Sequence, residues 1–120
     1  MNKAPIVLWV NKALPATGSV VSATQGIMNY LGYAVQVEWS GSPTGTFTLQ
    51  GSCDSGTVLA DGTATGVSNW TTISSTSVAA TGTSGSALYN MSFAFYGWFR
   101  LVYTATSGTG TANSMAVIKG

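Results

Sequence analysis

Between Tyr33 and Ser52, apolar and polar residues alternate almost without a break. Tyr33, Val35, Val37 and Trp39 are separated by Ala34, Gln36 and Glu38, and Phe47 and Leu49 by Thr46, Thr48 and Gln50. A two-residue period is that of a strand with one buried face. Between the two runs stands Ser40-Gly41-Ser42-Pro43-Thr44-Gly45. Its proline pre-sets φ, and its glycines accept positive φ. The pattern predicts a β-hairpin whose inward face is Val35, Val37, Trp39, Phe47 and Leu49.

The same reading extends along the chain. Ile6 to Val10 is a short apolar strand with Pro5 at its start, where a missing N–H is tolerated. Asn11 to Gly18 is a turn, and Ser19 to Ala23 a second strand. Thr24 to Gly32 is one helical turn or an irregular crossing: Ile27, Tyr30 and Leu31 have helical spacing, in a segment too short for a stable helix. Cys53 to Asn69 is a Gly-rich excursion, with Asp54-Ser55-Gly56 and Asp61-Gly62 as turn signals. Trp70 to Ser74 and Ser77 to Thr81 are strands, followed by a loop from Thr81 to Ser86. Leu88 to Phe95 is densely apolar, with Tyr89, Met91, Phe93 and Phe95 on one face. Gly97 is a turn or bulge.

Trp98 to Tyr103 is apolar on both faces except at Arg100, which predicts a central strand. Arg100 should then be paired, because an unpaired buried guanidinium is prohibitive. Glu38, the only carboxylate in a strand pattern, is the first candidate partner, with backbone carbonyls as the alternative. Ser107 to Gly110 is a turn, and Ala112 to Ile118 the last strand. About eight or nine short strands at this spacing predict an all-β, jelly-roll-like β-sandwich forming a single domain over 1–120.

Composition changes the picture at the surface. Gly, Ser and Thr fill well over a third of the chain, while only four residues are Lys or Arg and three Asp or Glu. Residues 62–99 carry no charge. The four Trp, five Tyr and four Phe supply a core that disordered Gly/Ser/Thr tracts lack. Soluble monomers usually keep a more charged surface, so a surface this neutral predicts a subunit of a larger assembly, the alternative being a soluble monomer wetted by Ser and Thr hydroxyls. A net charge of +1 leaves no electrostatic footprint for nucleic acid. No apolar run approaches the ~20 residues of a membrane-spanning helix. Lys3 followed by Ala4 to Val10 imitates a signal peptide, but Asn11 and Lys12 close the run early and it reads as a strand.

Chemistry is sparse. There is no histidine, hence no Ser-His-Asp or Cys-His arrangement and none of the commonest metal ligand. The carboxylates are Glu38, Asp54 and Asp61. A glycosidase needs two of them across one bond, yet both aspartates stand in glycine turns, where they bond the local backbone. Asp54, Ser55 and Asp61 are too thin a set for calcium. Cys53 is the lone cysteine, so no intrachain disulfide forms, and no neighbour in sequence activates it. Asn69-Trp70-Thr71 and Asn90-Met91-Ser92 fit the glycosylation sequon, which matters only behind a secretory signal. Leu14 to Gly18 matches the sortase pattern but stands far from the C-terminal setting that pattern needs. Trp9, Trp39, Trp70 and Trp98 could line a sugar-binding platform, but each lies in a strand pattern and is expected in the core. The expectation is a chain with no catalytic, cofactor-binding or metal site, and no enzyme activity.

Three stretches carry a family resemblance: Val35 to Ser52 (V-Q-V-E-W-S-G-S-P-T-G-T-F-T-L-Q-G-S), Trp70-Thr71-Thr72-Ile73, and Trp98 to Thr111 (W-F-R-L-V-Y-T-A-T-S-G-T-G-T). Together they resemble small β-sandwich virion proteins of tailed bacteriophages, over residues 33–118, and Ile118-Lys119-Gly120 fits the same look. Leu88 to Tyr96 is more apolar than that resemblance leads one to expect. Phe99-Arg100-Leu101 is also similar to discoidin-like jelly rolls, whose members bind carbohydrate or lipid. The phage resemblance implies a non-enzymatic virion component, foremost a capsid decoration or cement protein bridging capsid subunits. Its implied partners are the major capsid protein and copies of itself, with neither nucleic acid nor membrane. Its implied place is the capsid surface, after assembly in the host cytoplasm, with which a lone cysteine is compatible. A tail, neck or fibre component is the next alternative, and a carbohydrate-binding module the rival from another class.

Overall fold

A computed structural model describes residues 5–27, 30–54, 56–58, 63–92, 94 and 96–119. The strands are β1 (Ile6–Leu14), β2 (Ser19–Val21), β3 (Gln25–Gly26), β4 (Gly32–Gly41), β5 (Thr44–Ser52), β6 (Thr57–Val58), β7 (Ala64–Thr65), β8 (Thr71–Thr72), β9 (Val78–Thr81), β10 (Gly85–Met91), β11 (Trp98–Ser107) and β12 (Gly110–Lys119). The first sheet has the order β1-β12-β4-β10. In the second, β11 and β5 form the centre, with β2 and β3 along one side and β8 and β9 along the other. Every pairing is antiparallel. Apart from the two-residue strands, each strand holds the same place in its sheet as its chain neighbour holds in the other. β1 corresponds to β2, β12 to β11, β4 to β5, and β10 to β9, which is the strand order of a jelly roll.

The expected hairpin between β4 and β5 is therefore absent. β4 pairs with β12 and β10, and β5 with β11, β8 and β9. The chain passes over Ser42-Pro43 from one sheet to the other. Alternation only reports that a strand has one buried face, and an arch between sheets satisfies that as well as a hairpin does. The inward residues are the expected ones. Val35, Val37, Trp39, Phe47 and Leu49 are all buried, but they meet across the core. The rings of Trp39 and Phe47 stack with centroids 4.8 Å apart.

Four such arches turn at one end of the sandwich, and each has one glycine at positive φ: Gly18, Gly41, Gly82 and Gly108. Adjacent corners bond to one another. Ser42 N donates to Thr109 O at 3.0 Å, and Gly82 N to Pro43 O at 2.8 Å. Gly108 is doubly constrained, since a Cβ there would also collide with the Ser42 carbonyl oxygen.

Other boundaries shift. The turn expected from Asn11 starts only after Leu14, because β1 continues through an irregularity at Asn11 (φ 46°) and buries Leu14. Leu14 is thus a core residue within the sortase-like pattern. Among the described residues, the segment after Thr24 keeps a hydrogen bond from Tyr30 N to Ile27 O at 3.1 Å, while Met28 and Asn29 lie outside them. The strand expected from Trp70 to Ser74 keeps only Thr71–Thr72, and β10 begins at Gly85 inside the expected loop. Tyr89 and Met91 pack on the core. Lys3, Ser55, Asp61, Phe93, Phe95 and Gly120 lie outside the described residues.

Candidate interaction surface

The candidate chemical groups do not converge. Glu38 is exposed on the outer face of the first sheet, in register between Ser86 and Asn113. Asp54 follows β5 of the second sheet. Its Oδ2 accepts hydrogen bonds from Ser68 N (3.0 Å), Ser68 Oγ (3.1 Å) and Asn69 N (3.2 Å), closing the neck of the excursion. Among the described residues, no three His, Cys, Asp or Glu side chains gather as a metal cluster. Cys53 is exposed beside a cleft of about 370 Å³ that Asn69 and Tyr96 also line.

The indoles are occupied. Trp9, Trp39 and Trp98 are buried. Trp98 points to the outer face of the second sheet, yet the excursion covers it and its Nε1 donates to Asp54 O at 2.7 Å. Trp70 is half-buried, and the Arg100 guanidinium lies over its ring at 4.3 Å from the centroid.

Arg100 is mid-strand and paired, but not with Glu38, which belongs to the other sheet. Its Nε donates to Oε1 of Gln50, directly opposite on β5, at 2.8 Å. Partial burial pulls the guanidinium below its usual range, and the charge is satisfied by an amide oxygen and an aromatic face.

Hydroxyls fill the breaks in the edges of the second sheet. Leu101 and Leu49 are opposite each other on β11 and β5. Where β2 breaks off, Leu101 N donates to Ser22 Oγ at 2.9 Å, and Ser22 N donates to Leu101 O at 2.8 Å. Where β8 and β9 part, Leu49 N donates to Thr76 Oγ1 at 3.2 Å, and Thr76 Oγ1 donates to Ile73 O at 2.7 Å. Ser22 and Thr76 are both buried. Each restores a ladder bond that the broken strand omits.

The outer face of the first sheet is different. Register places Val7, Met115, Gln36 and Leu88 in one row across all four strands. Val7 is 52% exposed, Met115 48% and Leu88 69%. Among the described residues, the exposed large apolar side chains other than Val21 all belong to this sheet or its entry, at Val7, Val10, Leu31, Leu88 and Met115. Beside the row opens a cleft of about 520 Å³ lined by Leu31, Ala34, Met91, Val117 and Lys119 among others. Tyr33 also lines this cleft, and its hydroxyl is 2.8 Å from that of Tyr96, which lines the cleft beside Cys53. Burial, then this bond, raises the Tyr33 phenol far above its usual range. Leu88 was legible as an apolar residue in step with Ser86 and Asn90 rather than with Tyr89 and Met91, and the dense apolar run around it masked that parity.

No protein-family model and no curated protein matches the chain. In fold it is similar to the PBSX exported protein XepA, with a TM-score of 0.63 at 17% identity over 98% of this chain and 37% of that one. It is similar to PirA with a TM-score of 0.51 at 14% identity, over 90% of this chain and 91% of that one. The SPBc2 prophage-derived protein YomS has a TM-score of 0.49 at 13% identity, over 98% and 95% of the two chains. The chain thus spans 37% of the length of XepA, and identities this low establish the fold alone.

Proposed function

We propose that the chain is a non-enzymatic structural protein of a bacteriophage virion, a decoration protein that sits on the capsid and bridges subunits of the major capsid protein. What supports this most is the outer face of the first sheet, where Val7, Met115 and Leu88 stand exposed in a row with Gln36 on a jelly roll of very low charge. The strand motifs that resemble virion proteins of tailed phages support it as well. Fully burying a Val, Leu or Met side chain contributes ~1.5–3 kcal/mol, and covering the exposed part of Val7, Met115 and Leu88 contributes a share of that at each, without ion pairs. A carbohydrate-binding module would need an open aromatic platform. Trp70 is engaged by Arg100, and the other three indoles are buried.

The test is a wash series on purified particles carrying the chain, read on a gel. Exposed ionic contacts weaken as the Debye length falls to about 3 Å at 1 M salt, whereas apolar burial does not weaken in that way. The chain should stay bound in ~1 M NaCl and leave in urea, which solvates apolar and peptide groups. Complete release by salt alone would overturn apolar attachment.

A further inference from the structure

An edge strand offers unpaired N–H and C=O groups to any extended segment, and proteins usually spoil such edges. Among the described residues, three of the four edges of the two main sheets are spoiled. β1 shifts register between Val7 and Trp9 and again between Trp9 and Lys12, with Asn11 at positive φ. The two edges of the second sheet are broken between β2 and β3 and between β8 and β9, with Ser22 and Thr76 filling the breaks. β10 carries none of these devices. It pairs with β4 in unbroken register from Gly85–Trp39 to Met91–Tyr33, and it has no proline and no charge. Its other side pairs with no strand among the described residues.

We propose that β10 is the contact through which two copies of this chain associate, edge to edge and antiparallel, making one continuous sheet across a twofold axis. A second copy fits this edge for three reasons. Full overlap of the strand with itself puts its midpoint, Leu88, against Leu88 of the second copy. Two side chains that are each 69% exposed then cover one another. Next, like charges directly opposite destabilise a strand pair, and residues 62–99 carry no charge, so this strand meets itself without repulsion. Last, the row of Val7, Met115, Gln36 and Leu88 runs out to this edge. Across the axis it continues as its own copy, so the two Leu88 side chains form an apolar centre flanked by the two Gln36 amides. Such a contact is isologous and closes at two copies. It stands apart from the virion proposal, since the free chain in solution can form it.

The experiment is sedimentation velocity on the purified chain from micromolar to millimolar concentration. A concentration-dependent dimer is expected. Leu88→Lys sets two ammonium groups face to face and should raise the dissociation constant by about tenfold or more. At a concentration where both chains are monomeric, its thermal midpoint should stay close to that of the parent chain, because the side chain is already exposed. Leu88→Cys in a Cys53→Ser background should cross-link to a disulfide dimer under mild oxidation, while Val7→Cys in the same background should not. A chain that stays monomeric throughout, a dimer indifferent to Leu88→Lys, or equal cross-linking at Val7 would overturn the proposal.

Discussion

The two sheets have the same main-strand order and opposite surfaces. In the second sheet both edges are interrupted, hydroxyls fill the gaps, and the excursion between β5 and β8 roofs Trp98. In the first sheet the outer face carries Val7, Met115 and Leu88 in the open, and one edge runs straight. The difference separates two tasks that a small sandwich must reconcile. Backbone groups at an edge are costly when buried without partners and sticky when exposed. The second sheet limits the stickiness by breaking each edge into short strands, and side-chain oxygens satisfy the inner strands β11 and β5 at the breaks. The first keeps it at β10 and spoils it at β1.

The largest effect tests what the sheets share. Phe47 comes from the second sheet, is fully buried, and has ring contacts with Trp9, Trp39 and Tyr103. Phe47→Ala should cost ~3–5 kcal/mol by chemical denaturation, as should Trp39→Ala from the first sheet. A cost under ~1 kcal/mol at either position would mean the sheets are held together elsewhere.

The contrast between edges is sharpened next. Thr76→Val removes a hydroxyl and leaves the Leu49 N–H buried without a partner, a loss of about 1–3 kcal/mol. Ser22→Ala should do the same to Leu101. Ser86→Ala, an exposed change on β10, should move stability by less than ~0.5 kcal/mol. Equal costs at all three positions would erase the distinction between plugged and open edges.

The smallest effect concerns pH. Burial raises the Tyr89 phenol to about 12, and Tyr33, Tyr96 and Tyr103 are also raised, mainly by burial. A phenol with a higher pKa folded than unfolded contributes stability that is fully present below its unfolded value of about 10 and is lost as pH rises through the folded value. Thermal midpoints should therefore hold steady up to about pH 10 and fall between pH 10 and 12, with tyrosinate absorbance rising in step. Tyr89→Phe should blunt the fall. Melting that is insensitive to pH up to 12 would count against buried phenols in both sheets.

Much of the fold was legible from parity. The inward faces of β4 and β5 follow from alternation, and an apolar run on both faces marked β11 as central. Which sheet a strand joins was not legible. β4 is fixed in place by β12, far along the chain, and nothing local to Ser40–Gly45 announces that partner. The same gap misassigned Arg100. Its true partner, Gln50, is a cross-strand neighbour visible only once the β11–β5 register is known. Of the interaction surface, the low charge was legible. The exposed row was not, because Val7, Met115 and Leu88 come together only through pairings between four separate strands.

β12 lies between β1 and β4 in the first sheet, yet it follows every other strand in the chain. Without β12, among the described residues, β1 has no partner in this sheet and β4 has only β10. Pairings between segments this far apart in sequence form slowly, so the step that joins β1 to the rest of its sheet is a late one in folding.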